Sequence, residues 1–305
     1  MDLGRQRVNE VLADATERFG ASGSETPRLD AEVLLASVLG IDRSGLIAHP
    51  QAVMSTGQLE RYEAWVVRRE AGEPVAYIRG LKEFYGAAIS VDSRVLIPRP
   101  ETETLVELAL ARITADLTGT PRASDDPYLV WDVGTGSGAI SVAIAGELRR
   151  RRYGDAVRFL ASDISGDARD VATLNVVAHG LAHLFTFAEG DLVEVAPAPP
   201  YPVDLLLANL PYIPAAMVPE LPVAARFEPV GALDGGPDGL DLIRRLLPRA
   251  PEAVTPGGAV LLEIGADQAE IMAAAAAQAL PDWSCTVHPD LSGSPRVAQL
   301  DRPRE

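Results

Sequence analysis

Strand-like and helix-like segments alternate along this sequence from Glu101 onward, and this pattern leaves few folds open to the chain. Such an alternation is typical of a parallel sheet with helices on both faces. The candidate strands are the segments YLVWDV, VRFLAS, LFTFAE, VDLLLAN, AVLLEI, WSCTVH and RVAQL. The pattern therefore predicts an α/β fold with one seven-stranded, doubly wound sheet over residues 101–305.

The N-terminal part follows a different pattern, because its apolar residues recur at helical spacing. A first apolar stripe consists of Leu3, Val11, Leu12, Ala15 and Phe19. A second helix is expected to begin at Pro27 and to end before Gly40. Ser55 and Gln58 have the spacing of a capping box, which predicts a third helix. We therefore predict a smaller, all-helical N-terminal domain over residues 1–80.

A connector of residues 81–100 separates the two patterns. Its stretch FYGAAISVDSRVLIP contains β-branched and apolar residues on both sides of Asp92 and Ser93. Two such runs around a turn dipeptide favour a β-hairpin. We therefore predict a hairpin in this connector, with its turn at Asp92–Ser93.

The charge and cysteine content exclude several classes of protein. Lysine and arginine total 27 against 43 aspartates and glutamates, which gives a net charge of −16. So acidic a chain lacks the general basic surface that a phosphate backbone requires, and we expect no stable nucleic-acid complex. Cys285 is the only cysteine, which excludes an internal disulfide and a cysteine-rich metal site, and we expect no metal.

No apolar run approaches the roughly 20 residues that cross a bilayer, and the charged N-terminus is unlike a signal peptide, so we expect a cytoplasmic protein without a membrane partner.

The first predicted strand of the sheet runs directly into a glycine-rich turn. The turn GTGSG, from Gly134 to Gly138, is followed by the helical segment AISVAIAGELRR. Glycines allow the backbone to turn tightly and to approach a ligand, and the next helix presents free N–H groups to an anion. The motif indicates a ligand-binding loop, although a tight strand-to-helix turn explains the same residues without a ligand.

Acidic residues follow the next two predicted strands. Asp163 ends the second strand, 25 residues beyond Gly138, and Asp191 follows the third strand. The carboxyl ends of parallel strands meet at one edge of a sheet, so the glycine loop and both carboxylates are expected to form one pocket for adenosine. Asp163 is placed to accept hydrogen bonds from a ribose diol. The alternative is that Asp163 caps the following helix, a role that Ser165 can also fill.

The glycine loop resembles the cofactor loop of S-adenosylmethionine-dependent methyltransferases, which share a seven-stranded, Rossmann-like sheet. This resemblance implies that the helix after Gly138 faces the methionine carboxylate, that Asp163 binds the ribose, and that Asp191 and Leu192 contact the adenine. S-adenosylmethionine is then the cofactor and S-adenosylhomocysteine the product. The predicted cofactor-binding residues are Gly134, Thr135, Gly136, Ser137, Gly138, Asp163, Ile164, Asp191, Leu192 and Asn209.

The fourth predicted strand ends in LLLANLPYIP, and its stretch NLPY is similar to the Asn-Pro-Pro-Tyr motif of methyltransferases that act on planar amides or amines. An amide nitrogen is a poor nucleophile because its lone pair is delocalised into the carbonyl group, so both of its N–H groups must be held by acceptors. We expect the Asn209 side chain and the Leu210 carbonyl to accept these hydrogen bonds, and Tyr212 to pack on the flat face of the amide. The predicted catalytic residues are Asn209, Leu210, Pro211 and Tyr212.

Leu210 stands where that motif has proline. Leucine leaves its own φ free, whereas Pro211 still restricts Leu210 to extended conformations. We expect the lost rigidity to amount to about 0.4–1 kcal/mol, which is too little to abolish a site.

Five further stretches resemble the release-factor glutamine methyltransferases, the HemK/PrmC family: GEPVAYIRG, VLIPRPETE, EPVGALDGGPDGLD, GGAVLLEIGADQ and DLSGSPRV. Members of this family methylate the side-chain amide of the glutamine in the Gly-Gly-Gln loop of bacterial peptide chain release factors. The resemblance implies that reaction here, with a release factor as partner. We expect a monomer whose N-terminal helices contact the release factor, because a clamp that fits any glutamine needs a remote recognition surface. The residues implied to lie near the active cleft are Ile97, Arg99, Pro100 and Glu101.

Two other functions stay open on this evidence. An adenine-specific nucleic-acid methyltransferase would use the same Asn-to-Tyr clamp, because adenine also presents a planar exocyclic amine. Flipping a base from a duplex, however, needs a basic groove or a target-recognition domain, and the net acidity argues against it. The second alternative is a noncatalytic protein that binds release factors or another partner and has a degenerate NLPY site.

Overall fold

The computed structural model describes residues 6–122, 124–199 and 202–304. The chain forms two compact units. The first comprises Met1–Leu81 and Leu221–Phe227, and the second comprises Lys82–Glu220 and Glu228–Glu305. A short segment from the second half of the chain therefore belongs to the N-terminal unit, which no pattern in the sequence indicates.

The first unit is helical. Its helices are α1 (Val8–Ala21), α2 (Pro27–Leu39), α3 (Arg43–Ala48), α4 (Thr56–Glu70) and α5 (Val75–Arg79). Ser55 and Gln58 form the predicted capping box of α4. Periodicity does not predict α3 and α5, because helices of six and five residues are too short to show it. Leu3 of the predicted stripe lies outside the described residues, and the other members of the stripe are buried in the core of this unit.

A β-hairpin follows, but its turn is not where the sequence pattern places it. The hairpin strands are β1 (Leu81–Phe84) and β2 (Ala87–Ser90). They are joined through Tyr85 and Gly86, whose positive φ angles of 47° and 73° suit a two-residue hairpin turn. The predicted turn at Asp92–Ser93 is wrong. Asp92 instead forms a local turn, in which its carboxylate accepts hydrogen bonds from the backbone and the side chain of Arg94.

The second unit is built on an eight-stranded sheet of the described residues. Its strands are β3 (Tyr128–Val133), β4 (Val157–Asp163), β5 (Phe185–Asp191), β6 (Glu194–Ala196), β7 (Val203–Ala208), β8 (Val254–Glu263), β9 (Ser284–Pro289) and β10 (Pro295–Asp301). Its helices are α6 (Glu103–Gly119), α7 (Ala139–Arg150), α8 (Gly166–Ala178), α9 (Asp241–Leu246), α10 (Ala250–Ala253) and α11 (Ala269–Ala279). Over the described ranges, no helix has both the length and the apolar character needed to cross a membrane.

The strand order is β6-β5-β4-β3-β7-β8-β10-β9. The strands β3, β4, β5, β7 and β8 run parallel, whereas β10 is antiparallel to both of its neighbours and β6 is antiparallel to β5. The predicted α/β class and all seven predicted strands are confirmed, but the sheet is mixed and has an eighth strand. Sequence patterns miss β6 because it has three residues and returns from β5 through a tight turn, in which Leu192 has a φ of 55°.

Helices cover both faces of this sheet. On one face, α9, α10 and α11 pack on strand residues such as Trp131, Leu206 and Leu262. The helices α6 and α8 contact the sheet at β7 and β8 and at β4 and β5, respectively. From β3 the chain moves outward through β4 and β5 and then crosses back to β7. Such a reversal opens a crevice at the carboxyl ends of the strands, where open α/β sheets bind ligands.

Candidate active site

A cavity of about 500 Å³ lies where β3, β4, β5 and β7 end. The predicted site residues in its wall are Gly134, Thr135, Gly136, Ser137, Asp163, Ile164, Asp191, Leu192, Asn209, Leu210 and Pro211. Gly138 and Tyr212 are not among the described residues that line the cavity. The structure therefore brings most of the predicted residues together in the wall of one cavity.

The glycine loop between β3 and α7 follows a left-handed backbone path. Gly134, Gly136 and Gly138 have φ angles of 69°, 55° and 76°, which glycine adopts without the steric penalty of other residues. A Cβ at Gly136 would meet no described atom within 4 Å, so this part of the loop is open to the cavity. A Cβ at Gly138 would lie 3.2 Å from the Cβ of Ala172, so this glycine instead allows α7 and α8 to pack closely.

The Asp163 carboxylate links the end of β4 to the glycine loop. Its Oδ2 accepts the Gly136 backbone N–H and its Oδ1 accepts the Ser165 backbone N–H, each at 2.9 Å. Burial raises the pKa of Asp163, and these two hydrogen bonds counteract the shift. A carboxylate has about four acceptor positions, so both oxygens can still bind a ligand. The side-chain cap of α8 is Ser165, whose hydroxyl accepts the Ala168 N–H.

Asp132 is a buried acid beneath the loop that the sequence analysis does not single out. Its Oδ2 accepts hydrogen bonds from the hydroxyls of Thr135 at 2.8 Å and Ser141 at 2.7 Å, which ties the loop to α7. Its Oδ1 is buried and has no hydrogen-bond partner within the described part of the chain. Burial raises the pKa of Asp132 to about 6. The sequence does contain a signal for Asp132, because it is the one charged residue of the apolar segment YLVWDV. An isolated buried carboxylate is costly, so a charged residue in a buried strand indicates hydrogen-bond partners nearby.

The wall beside β4 and β5 combines apolar surface with one ion pair. Arg245 of α9 donates to Asp191 Oδ2 at 2.5 Å, and both residues line the cavity. Ile164 is 69% exposed, although it is a large apolar residue. Together with Leu192 it gives this wall an apolar character that suits a flat ring system. Arg245 is a residue of the wall that the sequence analysis does not identify.

Asn209, the first residue after β7, is oriented by Thr102. Its Nδ2 donates to Thr102 Oγ1 at 3.2 Å. Thr102 is buried, and both residues line the cavity. Because the protein occupies the donor end of this amide, Oδ1 is the end that can accept a hydrogen bond from a ligand.

Tyr212 is not among the described residues that line the cavity, and its hydroxyl donates to Glu263 Oε1 at 3.2 Å. The expected packing of its ring on the substrate amide stays a prediction. Glu263 ends β8 and is 0% exposed, and its Oε2 has no partner among the residues described. Burial raises the pKa of Glu263 to about 7, while the hydrogen bond from Tyr212 counteracts the shift.

The loop after β7 packs tightly against the stretch GGPDG. The Gly235 N–H donates to the Ile213 carbonyl at 2.9 Å. A Cβ at Gly235 would lie 2.5 Å from the Pro211 carbonyl oxygen, and a Cβ at Gly239 would overlap the Tyr212 carbonyl oxygen. Because these glycines have no side chain, the backbone of the GGPDG stretch can pack directly against the backbone of the loop after β7.

The stretch VLIPRPETE borders the cavity through residues other than those singled out. The residues of this stretch that line it are Val95, Leu96, Pro98 and Thr102, whereas the residues implied to lie near the cleft were Ile97, Arg99, Pro100 and Glu101. Ile97 is buried, and Arg99 forms an ion pair with Glu228 at 2.6 Å.

Comparison with known proteins decides the family. A family model described as the PrmC N-terminal domain matches residues 10–80. The release factor glutamine methyltransferase of Moorella thermoacetica is 41% identical over 266 residues, which cover 86% of this chain and 87% of that protein. The chain belongs to the release factor glutamine methyltransferase family. The Rhodopirellula baltica protein of the same name is 37% identical over 97% of this chain and 96% of its own length. The resemblance found in the sequence motifs is confirmed.

The fold of this family member also resembles a solved structure. The hMettl16 catalytic domain in complex with MAT2A 3′UTR hairpin 1 matches with a TM-score of 0.51 and 14% identity, and the match covers 84% of each chain. Identity this low shows the fold alone. The Rossmann-like methyltransferase fold predicted from the sequence is therefore confirmed.

This member of the release factor glutamine methyltransferase family uses Leu210 for packing. The side chain is 5% exposed and belongs to the same core as Trp131. Its Cδ2 would lie 3.2 Å from a Cβ at Gly134, so it supports the glycine loop from below. A proline at this position would fix φ but would also remove part of this packing.

Proposed function

We propose that this chain methylates the side-chain amide nitrogen of the glutamine in the Gly-Gly-Gln motif of bacterial peptide chain release factors, with S-adenosylmethionine as methyl donor. The observation that carries this proposal is the hydrogen bond from Asn209 Nδ2 to Thr102, which leaves Oδ1 as an acceptor in the cavity wall. A hydrogen-bond acceptor next to a loop that would bind a methyl donor suits a substrate whose nucleophile is the nitrogen of a planar N–H group. The relatives named release factor glutamine methyltransferases support this choice of substrate.

The residues of the cavity fit S-adenosylmethionine. A volume of about 500 Å³ lies in the range of small-ligand sites. The open loop at Gly136, at the N-terminus of α7, would hold the carboxylate of the methionine part. Asp163 would accept the ribose hydroxyls, and Ile164, Asp191 and Leu192 would border the adenine. The product of the reaction would be S-adenosylhomocysteine.

The residues of this chain would act by positioning the nucleophile. S-adenosylmethionine supplies a methyl group bound to a positively charged sulfur. Asn209 Oδ1 and the Leu210 carbonyl oxygen would accept the two N–H groups of the substrate amide, which directs the nitrogen lone pair. The nitrogen gains the methyl group and releases one proton to solvent. Because the rate depends on approach distance and angle, rigid positioning replaces a dedicated acid or base.

We assign separate roles to the parts of the chain. The helical residues 1–80 would recognise the release factor, residues 81–100 would act as a connector, and residues 101–305 would catalyse the transfer. The match of residues 10–80 to a domain model of their own supports this division. Binding energy obtained far from the reacting glutamine can then orient it. Because release factors act in translation, the proposal places a monomeric enzyme in the cytoplasm, without a membrane or a stable nucleic-acid partner.

A labelled-cofactor assay tests the function. The acceptors are intact release factor, a short Gly-Gly-Gln peptide, adenine-containing DNA and no acceptor. We expect the label on the Gly-Gly-Gln glutamine by mass spectrometry, and transfer to the intact factor about tenfold faster than to the peptide, because remote contacts orient the substrate. Label in DNA would support the adenine methyltransferase instead. No label with any acceptor would support a noncatalytic partner-binding protein.

Asp163→Ala should weaken cofactor binding in calorimetry. The change removes the proposed ribose acceptor and the bonds that tie Gly136 and Ser165 to β4. Hydrogen bonds to a charged group contribute about 1.5–3 kcal/mol, which corresponds to a roughly ten- to hundredfold rise in Kd. Asp155→Ala, the same change at an exposed position, should bind like the wild type. Equal affinity of the wild type and Asp163→Ala would remove the ribose role.

A further inference from the structure

The side chain of Gln268 holds three backbone groups of the second unit together. Gln268 is the N-cap residue of α11 and is 3% exposed. Its Nε2 donates to the Tyr212 carbonyl oxygen at 2.9 Å and to the Asp238 carbonyl oxygen at 3.1 Å. Its Oε1 accepts the Gly265 backbone N–H at 2.7 Å. One side chain thus joins the end of the NLPY motif, the GGPDG stretch and the turn between β8 and α11.

These partners determine which way the Gln268 amide points. The NH2 group has two protons, and both are donated to carbonyl oxygens, which can only accept. A reversed amide would place its oxygen against those two carbonyl oxygens and its NH2 group against the Gly265 N–H. The three contacts therefore need both ends of a side-chain amide in this one orientation.

The turn that carries Gln268 is itself closed by backbone hydrogen bonds. The Gln268 N–H donates to the Gly265 carbonyl at 3.0 Å, and the Gln268 carbonyl accepts the Met272 N–H at 2.9 Å at the start of α11. A Cβ at Gly265 would lie 3.1 Å from Gln268 Cδ, so the side chain packs directly on the turn. The two donors of Gln268 are therefore fixed to the end of β8 and the start of α11.

The NLPY segment is held at both of its ends. Asn209 directly follows β7, and at the other end Gln268 binds the Tyr212 carbonyl. Pro211 fixes its own φ and restricts Leu210 to extended conformations, so few backbone paths connect the two ends. The hydrogen bond to Tyr212 therefore limits the directions that the Leu210 carbonyl can take.

We propose that Gln268 is a positioning residue that, through the Tyr212 carbonyl, fixes the NLPY backbone so that the Leu210 carbonyl can accept an N–H of the substrate amide. The inference rests on the proposed amide methyl transfer. Gln268 is not among the described residues that line the cavity, so it acts through the loop and not on the substrate. A glutamine that only closed the turn before α11 would not need its NH2 group, because the bond from Gly265 uses the oxygen alone.

Gln268→Glu separates the donors of this side chain from its acceptor. Glutamate keeps an oxygen for the Gly265 N–H but has at most one proton to donate, so at least one carbonyl contact is lost. Single-turnover transfer at saturating cofactor and release factor should fall about ten- to hundredfold, because a small displacement of the acceptor misaligns the nitrogen. The affinities for cofactor and release factor should stay largely intact. A wild-type rate in Gln268→Glu would overturn the proposal.

Leu280→Ala is the control for a loss of stability alone. Leu280 is 3% exposed and follows α11 at its other end, about 18 Å along the helix from Gln268. Removal of its buried side chain should lower the melting temperature but leave the single-turnover rate of the folded protein unchanged. If both variants lost rate in proportion to their loss of melting temperature, Gln268 would have a merely structural role and the proposal would be overturned.

Hydrogen exchange tests the same contact without any substrate. The Ile213 N–H donates to the Leu233 carbonyl and the Gly235 N–H to the Ile213 carbonyl, and Gln268 bridges the same two segments. Relative to the amides of β3, these two amides should exchange about tenfold faster in Gln268→Glu, but not in Leu280→Ala.

This measurement also separates the inference from the proposed function. If wild-type protein transfers no methyl group to release factor, the proposed function fails, and the positioning role is judged from the exchange rates alone. Unchanged exchange in Gln268→Glu would overturn that role whatever the substrate is.

Discussion

Asn209→Ala should lower single-turnover methyl transfer about a hundredfold while leaving cofactor affinity largely intact. The substitution removes the amide oxygen that the contact with Thr102 leaves free. One N–H of the substrate amide then lacks its acceptor, so the nitrogen can rotate and its lone pair misses the methyl group. The proposed cofactor contacts at Gly136 and Asp163 are untouched. Rapid-quench kinetics with purified release factor and mass spectrometry of the Gly-Gly-Gln peptide measure the effect.

Gln278→Ala is a matched control for this experiment. It also removes a side-chain amide, but from an exposed position of α11. Its rate should equal that of the wild type. Unchanged transfer by Asn209→Ala would exclude the clamp mechanism, and methylation of a different residue by wild-type protein would exclude the assigned substrate.

Gly239→Ala should remove most of the activity although Gly239 does not line the cavity. A Cβ at this position would overlap the Tyr212 carbonyl oxygen and Gln268 Nε2. These two atoms are joined by a hydrogen bond of 2.9 Å, so the added methyl group must break the bond and push the Tyr212 backbone aside. A displacement of about 1 Å in the clamp is enough to lower the rate about a hundredfold.

The stability of Gly239→Ala should fall as well. Its φ of 80° lies in the left-handed region, and the steric overlap adds to that strain. Together we expect a loss of about 1–3 kcal/mol in the free energy of unfolding, measured by chemical denaturation. Gly293→Ala is the control, because Gly293 has a φ of 86° but no described atom within 4 Å of an added Cβ. It should show part of the stability loss and the full wild-type rate. Equal rate losses in both variants would contradict the role of the Tyr212 contact.

The grouping of the candidate site residues could be predicted from the sequence. Residue patterns of period two and 3.6 distinguish strands from helices, and each such pattern lies within a short segment. Once the strands are parallel, their carboxyl ends must meet at one edge of the sheet. Gly134 and Asn209 directly follow two of these strands, Asp163 and Asp191 end two others, and all four residues line one cavity. No knowledge of tertiary contacts is needed for this grouping.

The position of the hairpin turn shows where local patterns become insufficient. Tyr85–Gly86 and Asp92–Ser93 are both compatible with a turn. The structure selects the first, and buried Asn175 of α8 binds the backbone N–H and the carbonyl of Ser90 in β2. This contact joins residues 85 positions apart, so no pattern within the hairpin segment could show it.

Segment-level patterns determined the fold class, the strand ends and the family, because each is encoded in residues close together in the chain. The tertiary structure decided which atoms of those residues are free. Thr102 orients Asn209 across 107 positions, and Glu263 holds Tyr212 across 51. These contacts exist only because β7, β8 and the start of α6 pack side by side. The direction of a side-chain amide depends on such partners and on the exclusion of water, and neither is a property of a local segment.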